Sequence, residues 1–490
     1  MVLVIALTTA SCGSADLNPA KRERIAILPF ENLSGDPSID WIRTAGPSIL
    51  HETLAAHTRP NFFRSPGLND AYQGHATEFL HTTYTKNGSA YRFRLEVENA
   101  DSHRMTSDFS SNGNVLFAIN AIARHLQAAA VPFSTHKEEA LEAWGRGDSG
   151  LATTIDPDFG AAWLSFVQQL VSARKATEAL EAAEKALGRA SLRSEWHRAH
   201  LQVTAANLRG DLPGSLAALT RLARMTPSDT EVLFILAEAE MGARKMEEAI
   251  SRLRSILEID PANPRALNSL GYAEAIAGRL EVARTTLENY GRQPAQGINA
   301  LDSLGEAHFM NGRFREAASY FHQAYSRNPS FLNGATLRKA AYAEWLGGNL
   351  AGADATMAPH FASLAQRGGE ARAIAEASWL FTTGRRALAV EKFSSLQFAR
   401  SEIGKQQLAV FKGELAPPSD ASSLKKLYEG TPPAQDGMAR VFYAATLLAA
   451  GKRPEALELL KRWPLPDDGA PPFQSLVFDR FLELRKSLGL

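Results

Sequence analysis

Leu301-Asp-Ser-Leu-Gly-Glu-Ala-His-Phe-Met-Asn-Gly-Arg-Phe-Arg-Glu-Ala-Ala-Ser-Tyr-Phe-His-Gln-Ala-Tyr-Ser-Arg-Asn-Pro329 reads as a helical hairpin closed by a proline. What decides the fold is that it recurs. Ala237, Gly271 and Gly305 stand 34 residues apart, as do Ala249, Ala283, Ala317 and Ala351. Leu253, Leu287 and Phe321 keep the interval, and so do Pro227 and Pro261, with Pro294 one residue early and Pro329 back in phase. The columns have a common physical sense: small residues where two helices cross closely, large apolar ones between them, and a proline that ends the second helix. A fixed period of this length marks helix pairs that bury their apolar faces on one another, not a single globule.

Leu304-Gly305, Ala317, Phe321, Ala324 and Pro329 resemble the tetratricopeptide repeat, and the unit 231–261, ending Leu257-Glu-Ile-Asp-Pro261, is nearly as close. Working outward, residues 159–190 and 192–227 upstream, and 332–365, 371–398 and 438–463 downstream, have hairpin length and apolar periodicity. The expected all-α solenoid runs over 136–490, with its best repeats at 231–331. A stretch rich in Pro, Ser and Gly at 416–436, holding a short helix over 422–428, breaks it, and a helix at 473–488 is expected to cap it, because a terminal repeat otherwise leaves its apolar face in water.

In such an array the first helix of each pair is expected to line a concave wall. Residues on that side but off the apolar stripe are Phe234, Glu238 and Met241, then Arg265, Asn268 and Tyr272, then Asn299, Asp302, Glu306 and Phe309, with Asn333 and Thr336 extending the row. They offer amides for a peptide backbone together with aromatic, apolar and acidic contacts. Relatives that grip a carboxylate terminus use lysines and asparagines on this wall, and Asp302 and Glu306 argue against that clamp here. Each position also fits an ordinary surface residue.

The amino-terminal part has a different grammar. Arg24-Ile-Ala-Ile-Leu-Pro-Phe30 reads as a buried strand, and Asp36-Pro37 as the start of a helix through Ile39, Trp41, Ile42, Ile49, Leu50 and Leu54. Residues 77–85 and 91–98 read as two strands joined at Lys86-Asn87-Gly88, with Arg92, Arg94 and Glu96 alternating against Phe93, Leu95 and Val97. A strand at 105–110 and a helix at 114–129 complete the unit. The string Ile25-Ala-Ile-Leu-Pro-Phe-Glu-Asn-Leu-Ser-Gly-Asp-Pro37 resembles the opening of the TolB amino-terminal-like domain, so the resemblance implies a small α+β module over 24–131 in a bacterial envelope protein. It carries over no catalytic residue.

Residues 1–14 hold a short apolar run followed by Thr8-Thr9-Ala10-Ser11-Cys12-Gly13-Ser14, which resembles a lipoprotein signal cleaved before an acylated cysteine, with 15–23 as a linker. The run lacks preceding basic residues, and Thr9 stands where an aliphatic residue is preferred. Another kind of signal, the remnant of a membrane helix and an amino terminus without meaning are the alternatives. The expected location is the bacterial cell envelope, periplasmic or anchored at the outer membrane through Cys12, or the cytoplasm if the signal reading fails.

Cys12 is the only cysteine, so no internal disulfide and no multi-cysteine metal site can form. Lysine plus arginine and aspartate plus glutamate both number 53, which leaves no net field to draw the chain to nucleic acid. The sequence holds no His-Glu-x-x-His, Gly-x-Ser-x-Gly, Gly-x-Gly-x-x-Gly or Walker motif. Trp196-His197-Arg-Ala-His200 sets two histidines near one helix face, and this reads as an exposed or capping pair in preference to a metal site. The expectation is a non-enzymatic scaffold without cofactor or metal that binds a protein or peptide partner. A signalling or regulator-associated sensor with the same two modules is the alternative.

Overall fold

The computed structural model describes residues 23–490 apart from 55–60, 89, 193, 294, 367–369, 401–407, 409–420, 432–435, 462–480, 483 and 487. The expected signal segment at 1–14, with Cys12, and nearly all of the linker at 15–23 therefore lie outside the described residues. The chain divides into two compact units, Met1–Arg209 with Arg221–Asp229, and Gly210–Thr220 with Thr230–Leu490.

The first unit begins with a mixed sheet of β1 (Arg24–Ile27), β2 (Glu31–Asn32), β3 (Asn61–Arg64), β4 (Glu78–Asn87), β5 (Ala90–Asn99) and β6 (Met105–Gly113), in the order β3-β1-β4-β5-β6 with β2 beside β4. Strand β1 has parallel neighbours on both sides, and it is accordingly buried along its whole length. Strands β4 and β5 pair antiparallel, Asn87 opposite Ala90, with Gly88 left-handed at φ 63 in the turn, a conformation that glycine adopts without strain. Along β5, Phe93, Leu95 and Val97 are buried, while Arg94 points away and bonds Asp108 of β6 at 3.0 Å.

Helices α1 (Ile42–Leu54) and α3 (Val115–Leu126) contribute to one core with Ile27, Phe30, Leu80, Phe93 and Leu95. Helix α2 (Leu68–Gln73) contributes Ala71 to a smaller cluster with Ala26, Leu28 and Phe79. Asp36 caps as expected, accepting from the Ser38 amide at 2.9 Å, but it opens a single 3-10 turn, Pro37–Ile39, and α1 starts only at Ile42. Ile39 and Trp41, on either side of that break, are both buried.

That core does not end where composition changes at 131–136. Phe133, Leu141, Phe159 and Ala162 belong to it, bringing in α4 (Glu138–Gly145), α5 (Ser149–Ile155) and α6 (Gly160–Ser172). A Cβ on Gly145 would come within 2.3 Å of Trp41 Cε3, so the first helical hairpin touches the sheet module at backbone range. The rings of Trp144 and Phe159 lie 5.7 Å apart, edge to face. Beyond them, α7 (Ala176–Leu187) and α8 (Glu195–Arg209) pack through Ala179, Ala183, Leu201 and Ala205 onto Trp163 and Val167.

Helix α9 (Leu212–Met225) is divided between the two units. The second unit continues with α10 (Thr230–Gly242), α11 (Met246–Ile259), α12 (Pro264–Ile276), α13 (Leu280–Gly291), α14 (Gly297–Met310), α15 (Phe314–Arg327), α16 (Ala335–Leu346), α17 (Leu350–Ala365), α18 (Ala371–Thr382) and α19 (Arg386–Ser394). Consecutive helices pack as hairpins. The columns of small residues have the expected cause: a Cβ on Gly271 would meet Leu287 at 2.4 Å, and one on Gly305 would meet Phe321 at 2.5 Å.

Each first helix also stops in the same way. Lys245 N bonds Glu240 O, Arg279 N bonds Glu274 O, Arg313 N bonds His308 O and Asn349 N bonds Glu344 O, at 2.8 to 2.9 Å, across a left-handed residue. That residue is Gly278, Gly312 or Gly348 in three turns and Arg244 in the fourth.

Within the expected break at 416–436 lies one helix, α20 (Ala421–Gly430), and after it come α21 (Gly437–Ala449) and α22 (Arg453–Lys461). Of the helix expected at 473–488, residues 473–480 lie outside the described ones. Phe481 and Leu488 join Val441, Leu447 and Leu460 in a common core.

Candidate functional site

Helices α10, α12, α14 and α16 are the first helices of four successive hairpins, and side chains at equivalent positions meet from one to the next. Arg265 on α12 reaches back to Glu231 on α10 at 2.7 Å and lays its guanidinium 4.0 Å over the Phe234 ring. Ser269 donates to Glu238 at 3.1 Å. Between α12 and α14, Ser303 donates to Asn268 at 2.9 Å, and Tyr272 donates to Glu306 and to Ser303, the latter at 3.3 Å. Between α14 and α16, the Lys339 ammonium lies 2.9 Å from Asp302 and also bonds Glu306.

The row is graded. At its α10–α12 end Glu238 and Arg265 are exposed and Phe234 is half-buried, as are Met241 and Asn268. At its α14–α16 end the charges are sunk: Asp302 and Lys339 are buried. Burial alone would lower the Lys339 pKa, but the Glu306 and Asp302 carboxylates outweigh it and hold the ammonium well above its ordinary range. The Tyr272 hydroxyl is pushed well above its usual value by burial, then by the charge of Glu306. Two carboxylates against one ammonium leave this end acidic.

Not every expected wall residue lies on this wall. Phe309 is fully buried in a cluster with Phe321 and Ala340, its ring 5.4 Å from Phe314, and Thr336 is fully buried as well. Asp302 is buried too, spent on Lys339. The reason is common to all three: helix α14 is packed by α12, α13 and α15 together, and α16 by both α15 and α17, so their covered arcs are wider than one stripe. Asn299 is turned to the Tyr290 hydroxyl, 2.7 Å away. Asn333 is exposed, in a left-handed pair with Leu332 at φ 54 and 48.

Sequence reasoning missed Glu231, Ser269, Ser303 and Lys339. A signal existed for the last: Lys339 follows Asp302 by 37 and Glu306 by 33 residues, which brackets one 34-residue repeat with two acids a helical turn apart. The histidine pair was misread in part. His197 is 1% exposed, not a surface residue, although it does engage the cap of α8, with Nδ1 2.7 Å from Ser194 Oγ.

The tetratricopeptide repeat family model matches residues 204–264 and 236–296, so the chain carries tetratricopeptide repeats. A search of the curated proteins finds no match. Among solved structures, one similar chain is a tetratricopeptide repeat protein from Parabacteroides merdae ATCC 43184, at 14% identity and TM-score 0.40, covering 52% of this chain and 98% of that one. YrrB, described as a TPR protein with an unusual peptide-binding site, is similar at 16% identity and TM-score 0.33, over 39% of this chain and 97% of its own. A thermophilic TPR protein of Thermus thermophilus is similar at 20% identity and TM-score 0.28, over 38% and 98%. Repeat proteins of this kind are in general scaffolds for protein–protein interaction. Among the described residues no helix is long and apolar enough to cross a membrane.

Proposed function

We propose that this chain is a non-enzymatic scaffold of the bacterial cell envelope that binds an extended protein or peptide segment along the wall of α10, α12, α14 and α16. The observation that carries the reading is the repeat-to-repeat ladder of Glu231, Arg265, Glu238, Ser269, Asn268 and Ser303, which offers donors and acceptors at regular intervals beside the half-buried Phe234. A peptide backbone repeats its own donors and acceptors regularly, so such a ladder suits an extended main chain. The acidic end at Asp302, Glu306 and Lys339 favours a segment carrying a basic residue there.

The sheet module, which resembles the TolB amino-terminal-like domain, serves in this reading as a second contact surface, and acylated Cys12 as the tether. The test is site-specific photocrosslinking. A photoreactive residue at Phe234 should capture a partner in cells, and one at Arg315, on the second helix of a pair, should not. The reading fails if Arg315 captures the same partner, or if the double variant Phe234→Ala, Arg265→Ala retains it.

A further inference from the structure

Within the first unit, the end of α1, residues 131–134, the start of α8 and the end of α9 line an open cavity of about 500 Å³. This is within the range of small-molecule sites, roughly 300 to 1,000 Å³. Val131, Phe133 and Met225 give it an apolar lining, Trp196 an aromatic one, and Glu52 and Glu195 two carboxylates. No lysine, arginine or histidine lines it.

What faces Glu52 decides the chemistry. Among the described residues, His197 Nε2 comes within 3.3 Å of its Oε2 without a hydrogen bond between them, and that imidazole is almost wholly buried behind the cavity wall. Ser194 Oγ accepts from the His197 amide at 3.3 Å and lies 2.7 Å from His197 Nδ1. Ser194 is engaged by the cap of α8 and by this ring. Among the described residues, neither Glu52 nor Glu195 has a lysine or arginine partner.

A carboxylate in an apolar cavity with no lysine or arginine beside it is costly unless a cation joins it. We infer that this cavity is a binding site for a small organic cation, an ammonium group on an aromatic or branched apolar body. The ammonium is set by Glu52, with Glu195 at the rim. The body is taken up by Phe133, Val131, Met225 and Trp196, the indole being the side chain best suited to a neighbouring cation. The inference is independent of the proposed scaffold role.

The test is calorimetric titration of the full chain with 2-phenylethylammonium and with its neutral counterpart 2-phenylethanol. The ammonium should bind about tenfold or more tightly than the alcohol, the difference set by its charge. Glu52→Gln should abolish that preference while the circular dichroism stays unchanged, and Glu195→Gln should reduce it. Should Glu52→Gln fail to fold, Val131→Trp decides, since it fills the cavity from an exposed rim position and should block binding with Glu52 intact. Equal binding of amine and alcohol, or undiminished binding to Val131→Trp, overturns the site. Nα-acetyl-lysine amide is the third arm: if it binds as tightly as 2-phenylethylammonium, the assignment to a free amine is overturned in favour of a protein side chain.

Discussion

Arg244 and Asp436, 192 residues apart in sequence, form an ion pair at 2.8 Å. The same guanidinium lies 3.7 Å over the Tyr428 ring and donates to the Tyr428 carbonyl at 2.9 Å. Arg244 is also the one non-glycine residue among the four left-handed turns of α10, α12, α14 and α16, so the backbone cost of a side chain there is retained for the contacts that it makes. Arg174 adopts the same conformation, φ 61, with an exposed side chain. Two formally identical substitutions should therefore differ in sign. Arg244→Gly should destabilise the chain by about 1 to 3 kcal/mol, and Arg174→Gly should be neutral or stabilise it by up to about 1 kcal/mol. Urea unfolding of both variants checks this, and a loss from Arg174→Gly as large as that from Arg244→Gly refutes it.

At the crossing of α14 and α15, Gly305→Ala should cost about 1 to 3 kcal/mol through overpacking, because the added carbon would sit 2.5 Å from the Phe321 ring. Gly305→Trp should abolish cooperative melting of the second unit. A wild-type thermal transition for the tryptophan variant would contradict the close crossing.

Lys339→Met should leave Asp302 and Glu306 buried without their cation, at a cost of about 3 to 5 kcal/mol. The pH dependence has a definite sign. The folded pKa of Lys339 is raised, so its contribution is complete below the unfolded value of about 10.4 and is lost as pH rises beyond it. Wild type should lose stability relative to Lys339→Met in the alkaline range, and parallel unfolding profiles there would count against the buried network.

His200 is lowered to about 4 by burial first, then by His197, against the pull of Asp229. A depressed folded value means that the neutral ring is favoured: its contribution is complete above about 6.5 and falls as pH drops toward 4. The full effect is on the order of 3 kcal/mol. His200→Gln should flatten the stability profile between pH 6.5 and 4. An unchanged slope would show that the ring titrates normally.

Cys12→Ser should move the protein from the membrane pellet to the soluble fraction of its native host, and palmitate labelling should disappear. A variant that still pellets would remove the acyl tether from the proposed function.

The repeat was legible because its cause is local: Gly271 and Gly305 are glycines since Leu287 and Phe321 stand where a Cβ would go, and that demand returns every 34 residues. The order of the strands from β4 to β6 was legible for a similar reason, through Gly88 and the alternation along β5. What remained hidden depends on contacts distant in sequence. Strand β3 is a short strand beside β1, and nothing within Asn61-Phe-Phe-Arg64 announces that pairing. Phe309 looked free because the pattern counts one helix stripe, whereas α14 is covered by several neighbours. Lys339 was overlooked because a buried lysine makes sense only beside the two acids of the preceding hairpin. The Glu52–His197 meeting joins residues 145 positions apart and left no periodic trace.

The core that runs from Ile25 to Ala162 makes the sheet module the amino-terminal stopper of the helical stack. A repeat protein has two open ends to seal, and here one is sealed by a differently folded neighbour rather than by a polar last helix. Cutting the chain at residue 136 would strip Phe159 and Trp144 of Trp41 and Phe133, leaving a raw apolar end prone to self-association. Removing the module would therefore require simultaneous refitting of α4 to α6.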